Sequence, residues 1–186
     1  MIRAQCIVII ILFFYADALA DSFPPPSILG VSSPNGAWIL RVEPADNWWE
    51  KPAEAYVFLF DGKKYVKQTP FTMNNRVSPS TVLITNEGTI FSFDNWDGRG
   101  HGDVIYVYKH DGTALKKYSL NDLYSESDIL KFKRTVSSIW WRDLSSRPWT
   151  YKGIVCVKDA LGGSLEFDTE TAEYQYTPKD GCGLTL

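Results

Sequence analysis

Ten consecutive residues, Asp94-Asn95-Trp96-Asp97-Gly98-Arg99-Gly100-His101-Gly102-Asp103, hold the densest set of chemically able side chains in the chain. Three carboxylates, one histidine and three glycines fall within one loop between two strand-like runs, and three readings are open. A hard cation wants several oxygen ligands on a tight Gly-containing loop, and Asn95, Asp97 and Asp103 occupy the first, third and ninth places of a calcium-loop pattern. Arg99 stands where a further carboxylate would be needed, and a cation there opposes calcium. Alternatively, two of Asp94, Asp97 and Asp103 form the acid/base pair of a hydrolase. In the third reading the loop is structural: Asp and Asn bond nearby backbone, glycines allow tight turns, and Trp96 packs between sheets. The recurrence of Asp46-Asn47-Trp48 as Asp94-Asn95-Trp96 favours the third.

Other catalytic signatures are missing. There is no Gly-x-Ser-x-Gly elbow, His-Glu-x-x-His helix, phosphate-binding loop or Cys-x-x-Cys pair. The two histidines, His101 and His110, fall on different elements, which gives little support to a His-based triad or metal site. The seven tryptophans carry more promise. Of these, Trp48, Trp49, Trp96, Trp140 and Trp141 are candidate ligand-binding residues. In the adjacent pairs a strand would send one ring inward and the other outward, and an outward ring suits a sugar face or a protein partner.

The elements that must position these residues are mostly short β-branched and aromatic runs: 37–42, 55–60, 65–68, 81–85, 89–93, 104–109, 114–118, 138–141, 154–157 and 164–167. Asp61-Gly62 and Asp111-Gly112 sit between paired runs as tight turns, where Gly takes positive φ without steric cost. The expected fold is all-β and antiparallel. Residues 125–135 form a short connector helix capped by Ser125 or Ser127, with Ile129, Leu130 and Phe132 inward, and 119–124 form another single turn.

Asn35-Gly36, a strand, Asp46-Asn47-Trp48 and a strand ending at Asp61-Gly62 are echoed by Asn86-Glu87-Gly88, a strand, Asp94-Asn95-Trp96 and a strand ending at Asp111-Gly112. The period is about 48 to 50 residues, and a degraded third copy starts at Trp140-Trp141-Arg142-Asp143. Repeats of this length predict small antiparallel sheets in a propeller-like open arc, since three units use most of the chain and closure needs at least four.

Residues 1–20 read as a signal peptide: Arg3 gives a basic start, Ile7 to Phe14 an apolar core too short to anchor in a bilayer, and Ala18-Leu19-Ala20 a cleavage site. Residues 21–27 are then a Pro-rich lead-in, and 28–186 a single β-repeat domain with no stable membrane span. Cleavage removes one base, Arg3, and one acid, Asp17, so the net charge stays at −3. No basic face for nucleic acid is visible. Cleavage also removes Cys6 and leaves Cys156 and Cys182, a disulfide candidate in an oxidising compartment.

With the stretch from Asn86 to Tyr108, the following Asp111-Gly112 and Ser119-Leu120-Asn121-Asp122-Leu123 in view, the chain resembles a group of uncharacterised exported bacterial β-propeller-like proteins. The shared pattern covers residues 86–123: a strand, an Asp-Asn-Trp loop, Gly-x-Gly-Asp before the next strand, and a closing Leu-x-Asp-Leu turn. The resemblance implies a propeller-like β domain and no particular activity. Within this chain the first copy departs from it, with Trp49 at the place of Asp97.

The expectation is a non-catalytic exported binding or protein-interaction domain, periplasmic or secreted, without a cofactor unless calcium binds. Its partners would be an envelope protein, a polysaccharide or a second copy of the chain in a homo-oligomer. The alternative is a secreted carbohydrate-binding protein or hydrolase using the Asp94–Asp103 loop.

Overall fold

The structure is a computed structural model that describes residues 23–179 and 181–182. The expected signal peptide lies outside the described residues. Among those residues no helix is long and apolar enough to cross a membrane.

The expectation of an antiparallel all-β fold is met. The first sheet contains β1 (Leu29–Ser32), β2 (Trp38–Glu43), β3 (Glu54–Phe60) and β4 (Tyr65–Lys67) in that order, with β5 (Phe71–Thr72) also on β3. The second has β6 (Pro79–Ile84), β7 (Ile90–Asn95), β8 (Asp103–Tyr108) and β9 (Ala114–Ser119). A small pair, β10 (Lys133–Arg134) and β11 (Ile139–Trp140), precedes the third sheet of β12 (Trp149–Tyr151), β13 (Ile154–Lys158), β14 (Ser164–Asp168) and β15 (Tyr174–Thr177). Each larger sheet is a meander of consecutive strands, and among the described residues no hydrogen-bonded ladder joins one sheet to another.

Turn chemistry sets these meanders. Asp61 Oδ1 accepts from the backbone N–H of Lys63 and Lys64 at 2.9 Å, and Gly62 takes φ 94°. Asp111 Oδ1 likewise accepts from Thr113 N–H at 2.9 Å, with Gly112 at φ 88°. A short polar side chain closes the turn, and glycine supplies the left-handed backbone.

Strand alternation then explains how the second sheet is buried on both faces. Ile84, Ile90 and Tyr108 join Leu40, Val42 and Val57 of the first sheet in one apolar cluster. Phe91, Phe93 and Val107 join Val155, Leu165 and Phe167 of the third sheet in another. Successive β7 residues point to opposite faces, so all six of them are buried. Fully burying each of the apolar ones, Ile90, Phe91 and Phe93, contributes about 1.5–3 kcal/mol.

Two helical turns lie between the second and third sheets. α1 (Leu120–Leu123) carries a capping box in which the Ser119 N–H donates to Asp122 Oδ2 at 2.8 Å. α2 (Glu126–Ile129) is capped by Ser125, whose Oγ accepts from Asp128 N–H at 3.2 Å. Ile129 and Phe132 point inward as expected, but Leu130 is exposed. The reason is length: α2 ends at Ile129, so the apolar stripe expected of a longer helix never forms. The expected third unit also differs, because Trp140 belongs to the β10–β11 pair and the third sheet begins at Trp149.

Cys156 of β13 is disulfide-bonded to Cys182, with 5.6 Å between Cα atoms. The bond holds residues 181–182 against the third sheet, where a Cβ added at Gly181 would overlap Ser164, Glu166 and Thr177.

Candidate functional site

The loop between β7 and β8 has two distinct environments. Asp94, near the end of β7, is buried and left-handed at φ 54°. Its Oδ1 accepts from Trp141 Nε1 at 2.6 Å and from Gly100 N–H at 3.1 Å. Its Oδ2 accepts from Arg142 Nε at 3.1 Å and Nη2 at 3.0 Å. Four donors, two of them charged, satisfy the carboxylate.

Arg142 is itself buried, and its guanidinium lies over the Phe93 ring at 5.2 Å and the Trp141 ring at 5.6 Å. Asn75 Nδ2 donates to the Asp94 carbonyl at 3.1 Å, which anchors the backbone as well. This is a built scaffold: the chain bends sharply at Asp94 because its carboxylate ties β7, Gly100 and the Trp141-Arg142 segment together.

Gly100 completes the bend. It adopts φ 72°, and a Cβ there would lie 2.5 Å from the Ile139 carbonyl oxygen. The Ile139 N–H donates to the Arg99 carbonyl at 2.9 Å, so β11 is bound directly to the loop.

The calcium arrangement of Asn95, Asp97 and Asp103 is not assembled. Asn95 Oδ1 accepts from Arg76 N–H at 2.8 Å. Asp97 Oδ2 is ion-paired with the Arg76 guanidinium, while its Oδ1 is buried without a partner. Asp103 Oδ2 meets Lys117 Nζ at 3.0 Å and the Tyr106 hydroxyl at 3.2 Å. Among the described residues no group of three or more His, Cys, Asp or Glu is placed to hold a metal ion. Burial, with the Asp103 charge second, pushes the Tyr106 hydroxyl up to about 12. Of the histidines, His101 is exposed in the loop, and His110 packs on Trp38 with ring centroids 4.9 Å apart.

The five candidate tryptophans separate into three places. Trp141 is in the core and committed to Asp94, which corrects its expected place in a ligand site. Trp48 and Trp49 lie in the β2–β3 connection, in edge-to-face contact at 5.8 Å. Trp49 is 61% exposed. The inward and outward alternation expected of a strand fails here because the pair occupies turns. It holds for Trp140 and Trp141, where only the second is fully buried.

Trp96 and Trp140 are brought together. They line one cleft of about 340 Å³ with Phe23, Arg99, Thr135, Ser137 and Ser138. The Arg99 guanidinium lies over the Trp140 ring at 5.1 Å, a cation–π contact. Trp140 Nε1 is buried and has no hydrogen-bond partner. Trp96 Nε1 donates to the Pro24 carbonyl at 2.9 Å, so the Pro-rich lead-in forms part of the wall. Phe23 and Arg99 were not singled out as ligand residues by sequence. The aromatic before three prolines was the available signal for the first, and the second needs the fold.

Fold and site together define an all-β, disulfide-bonded protein with an aromatic cleft on a rigid loop. No protein-family model matches the chain, and no curated protein is similar to it in sequence.

Proposed function

We propose that the chain is an exported, non-catalytic binding module whose ligand site is the Trp96–Trp140 cleft. The observation that carries this reading is the composition of the cleft. Among the described residues its walls supply two indoles, a phenyl ring, a guanidinium and three hydroxyls, and no carboxylate or histidine. Such a surface offers stacking, cation–π contact and hydrogen bonds, and it has no acid/base pair for hydrolysis. The acid most deeply placed in the loop, Asp94, is fully engaged by scaffold donors.

Export is supported by the Cys156–Cys182 disulfide, which suits an oxidising compartment. The three meanders, with the β1–β2 and β6–β7 turns in contact through Asn35 N–H and Asn86 Oδ1 at 2.9 Å, fit a propeller-like open arc of related units. That arrangement agrees with the resemblance to exported bacterial β-propeller-like proteins. An envelope protein or polysaccharide is the expected partner. A homo-oligomer is a further option, since Phe60 and Tyr65 of the first sheet are exposed.

The test is tryptophan fluorescence of the purified mature chain against two probes, soluble cell-wall oligosaccharides and extended peptides. A saturable change with either probe, lost in Trp96→Ala while the thermal midpoint is kept, supports the reading. Hydrolysis of the oligosaccharide that survives Trp96→Ala and disappears in Asp97→Asn would replace it with the hydrolase alternative.

A further inference from the structure

Among the described residues the lead-in reaches the cleft through Phe23 and the Pro24 carbonyl, and its chemistry is specific. Proline fixes φ near −65° and pushes the preceding residue to extended geometry. Phe23, Pro24 and Pro25 each precede a proline, so the segment is held in polyproline geometry before it meets anything. Residues 23–28 join no strand, and β1 begins only at Leu29. Without proline N–H groups the segment cannot join a central strand, which leaves its carbonyls to side-chain donors. Trp96 Nε1 takes one of them, that of Pro24, at 2.9 Å. Phe23 enters the cleft beside Trp140 and Arg99. An indole N–H on a proline carbonyl in an aromatic-walled groove is the contact by which polyproline peptides are bound, because the preformed helix loses little entropy.

Resting on the reading of the cleft as the ligand site, we infer that its ligand class is an extended, proline-containing peptide, and that Phe23 and the Pro24 carbonyl hold one side of the cleft in cis, where they compete with such a peptide. The cleft keeps about 340 Å³ open beside Phe23. A partner peptide gains contacts there that the lead-in does not make. A short tether gives a cis ligand an effective concentration of about 1 mM, so a free peptide that binds the open cleft at about 0.1 mM meets roughly ten-fold competition.

The probe is a fluorescein-labelled peptide with the sequence of residues 21–28, followed by anisotropy against the full mature chain. The variant carrying Phe23→Ala, Pro24→Ala and Pro25→Ala is expected to bind about ten-fold tighter than the unmodified chain. Phe23→Ser alone gives a smaller gain in the same direction and serves if the triple variant folds poorly. Adding Trp96→Phe, which keeps an aromatic ring and removes the N–H, is expected to weaken binding about five-fold. A peptide with alanine for each proline should not bind.

Equal peptide affinity with and without the lead-in substitutions overturns cis occupancy. No peptide binding by any variant, with an oligosaccharide bound in a Trp96-dependent way, overturns the peptide class and leaves the cleft as the site. Absence of both overturns the site as well.

Discussion

Asp94→Asn is the substitution that most directly separates a scaffold carboxylate from a catalytic one. Asparagine has nearly the same shape, and it tolerates the left-handed backbone at φ 54° as readily as aspartate does. The change therefore isolates the hydrogen bonds and the charge. In the native chain each carboxylate oxygen receives two donors, Trp141 and Gly100 on one and Arg142 twice on the other. An amide has one accepting oxygen, so one pair of donors must face an NH₂ group. Whichever way the amide turns, the buried Arg142 guanidinium loses its counter-charge. Removing one partner of a buried ion pair costs about 3–5 kcal/mol, against a total stability of about 5–15 kcal/mol for a domain. With a urea m-value of about 2 kcal/mol/M, the unfolding midpoint should fall by roughly 2 M. In the double variant Asp94→Asn/Arg142→Met the uncompensated charge is gone, so the loss should be smaller than the sum of the two single losses by about 2 kcal/mol. Urea titrations followed by near-ultraviolet dichroism measure all three, since Trp141 lies in the affected core. A midpoint lowered by less than about 0.5 M, together with complete loss of a binding or hydrolytic activity, would refute the scaffold role of Asp94.

Gly100→Ala should lose about 2–4 kcal/mol, from left-handed backbone strain and overlap with the Ile139 carbonyl. Gly98→Ala, whose added Cβ meets nothing within 4 Å, is the control and should stay within about 0.5 kcal/mol. Replacing Cys156 and Cys182 together by serine opens a 26-residue separation and should cost about 3.5 kcal/mol, or roughly 10 °C in the calorimetric midpoint. In alkali, burial pushes the Tyr106 and Tyr108 hydroxyls up to about 12, above their unfolded value of about 10. Their neutral forms favour the folded state, so this stability is complete below pH 10 and declines as pH rises towards 12. Burial also raises Tyr124, Tyr118, Tyr174 and Tyr176, so tyrosinate absorbance should show a late-titrating set that includes Tyr106 and Tyr108 and becomes normal in urea. At low pH the Ser119 hydroxyl and backbone hold the Asp122 carboxylate below the usual range. Its share of the α1 cap is present above about pH 4 and lost as pH falls through the folded value, which a fluorescence-detected acid titration of Asp122→Asn and the native chain would compare.

The legible part of the fold was the part fixed by neighbouring residues. Asp61-Gly62 and Asp111-Gly112 specify their turns locally, and the flanking aromatic and β-branched runs locate β3, β8 and β9 to within a residue or two. β1 escaped notice because Leu29-Gly30-Val31-Ser32 is short and interrupted by glycine, and it becomes a strand by pairing with β2. β12 begins one residue after Pro148 and needs β13 to define it. The expected inward face over 129–132 failed at Leu130 because periodicity does not reveal that α2 stops after one turn. At the site, Asp94 and Trp96 were visible as members of a recurring Asp-Asn-Trp. Arg142 was not, since a lone base after two tryptophans has no local signal that its partner lies 48 residues earlier. The convergence of Trp96 with Trp140 had the same cause, because β11 reaches the loop through contacts distant in sequence, the Ile139–Arg99 backbone bond and the Arg99–Trp140 stacking.

That long-range construction bears on how the cleft works. Asp94 and Trp96 are two residues apart, yet one is consumed by the core and the other binds the lead-in. A peptide groove gains affinity when its aromatic walls are held in place before the ligand arrives, because fewer rotamers are lost on binding. The buried Asp94–Arg142 pair supplies that rigidity from behind the loop, and Gly100 lets the loop lie flat on Ile139. Trp140 is carried by β11, which the same loop holds. The two walls are therefore tied to one another through Asp94, Gly100 and Ile139. Loosening this tie should weaken peptide binding by Asp94→Asn even under conditions where the variant remains folded. Trp96→Phe should do the reverse, weakening binding while the urea midpoint stays unchanged. The opposite assignment, with Asp94 dispensable for stability and Trp96 needed for folding, would mean that the recurring Asp-Asn-Trp serves the ligand through its acid and the fold through its ring.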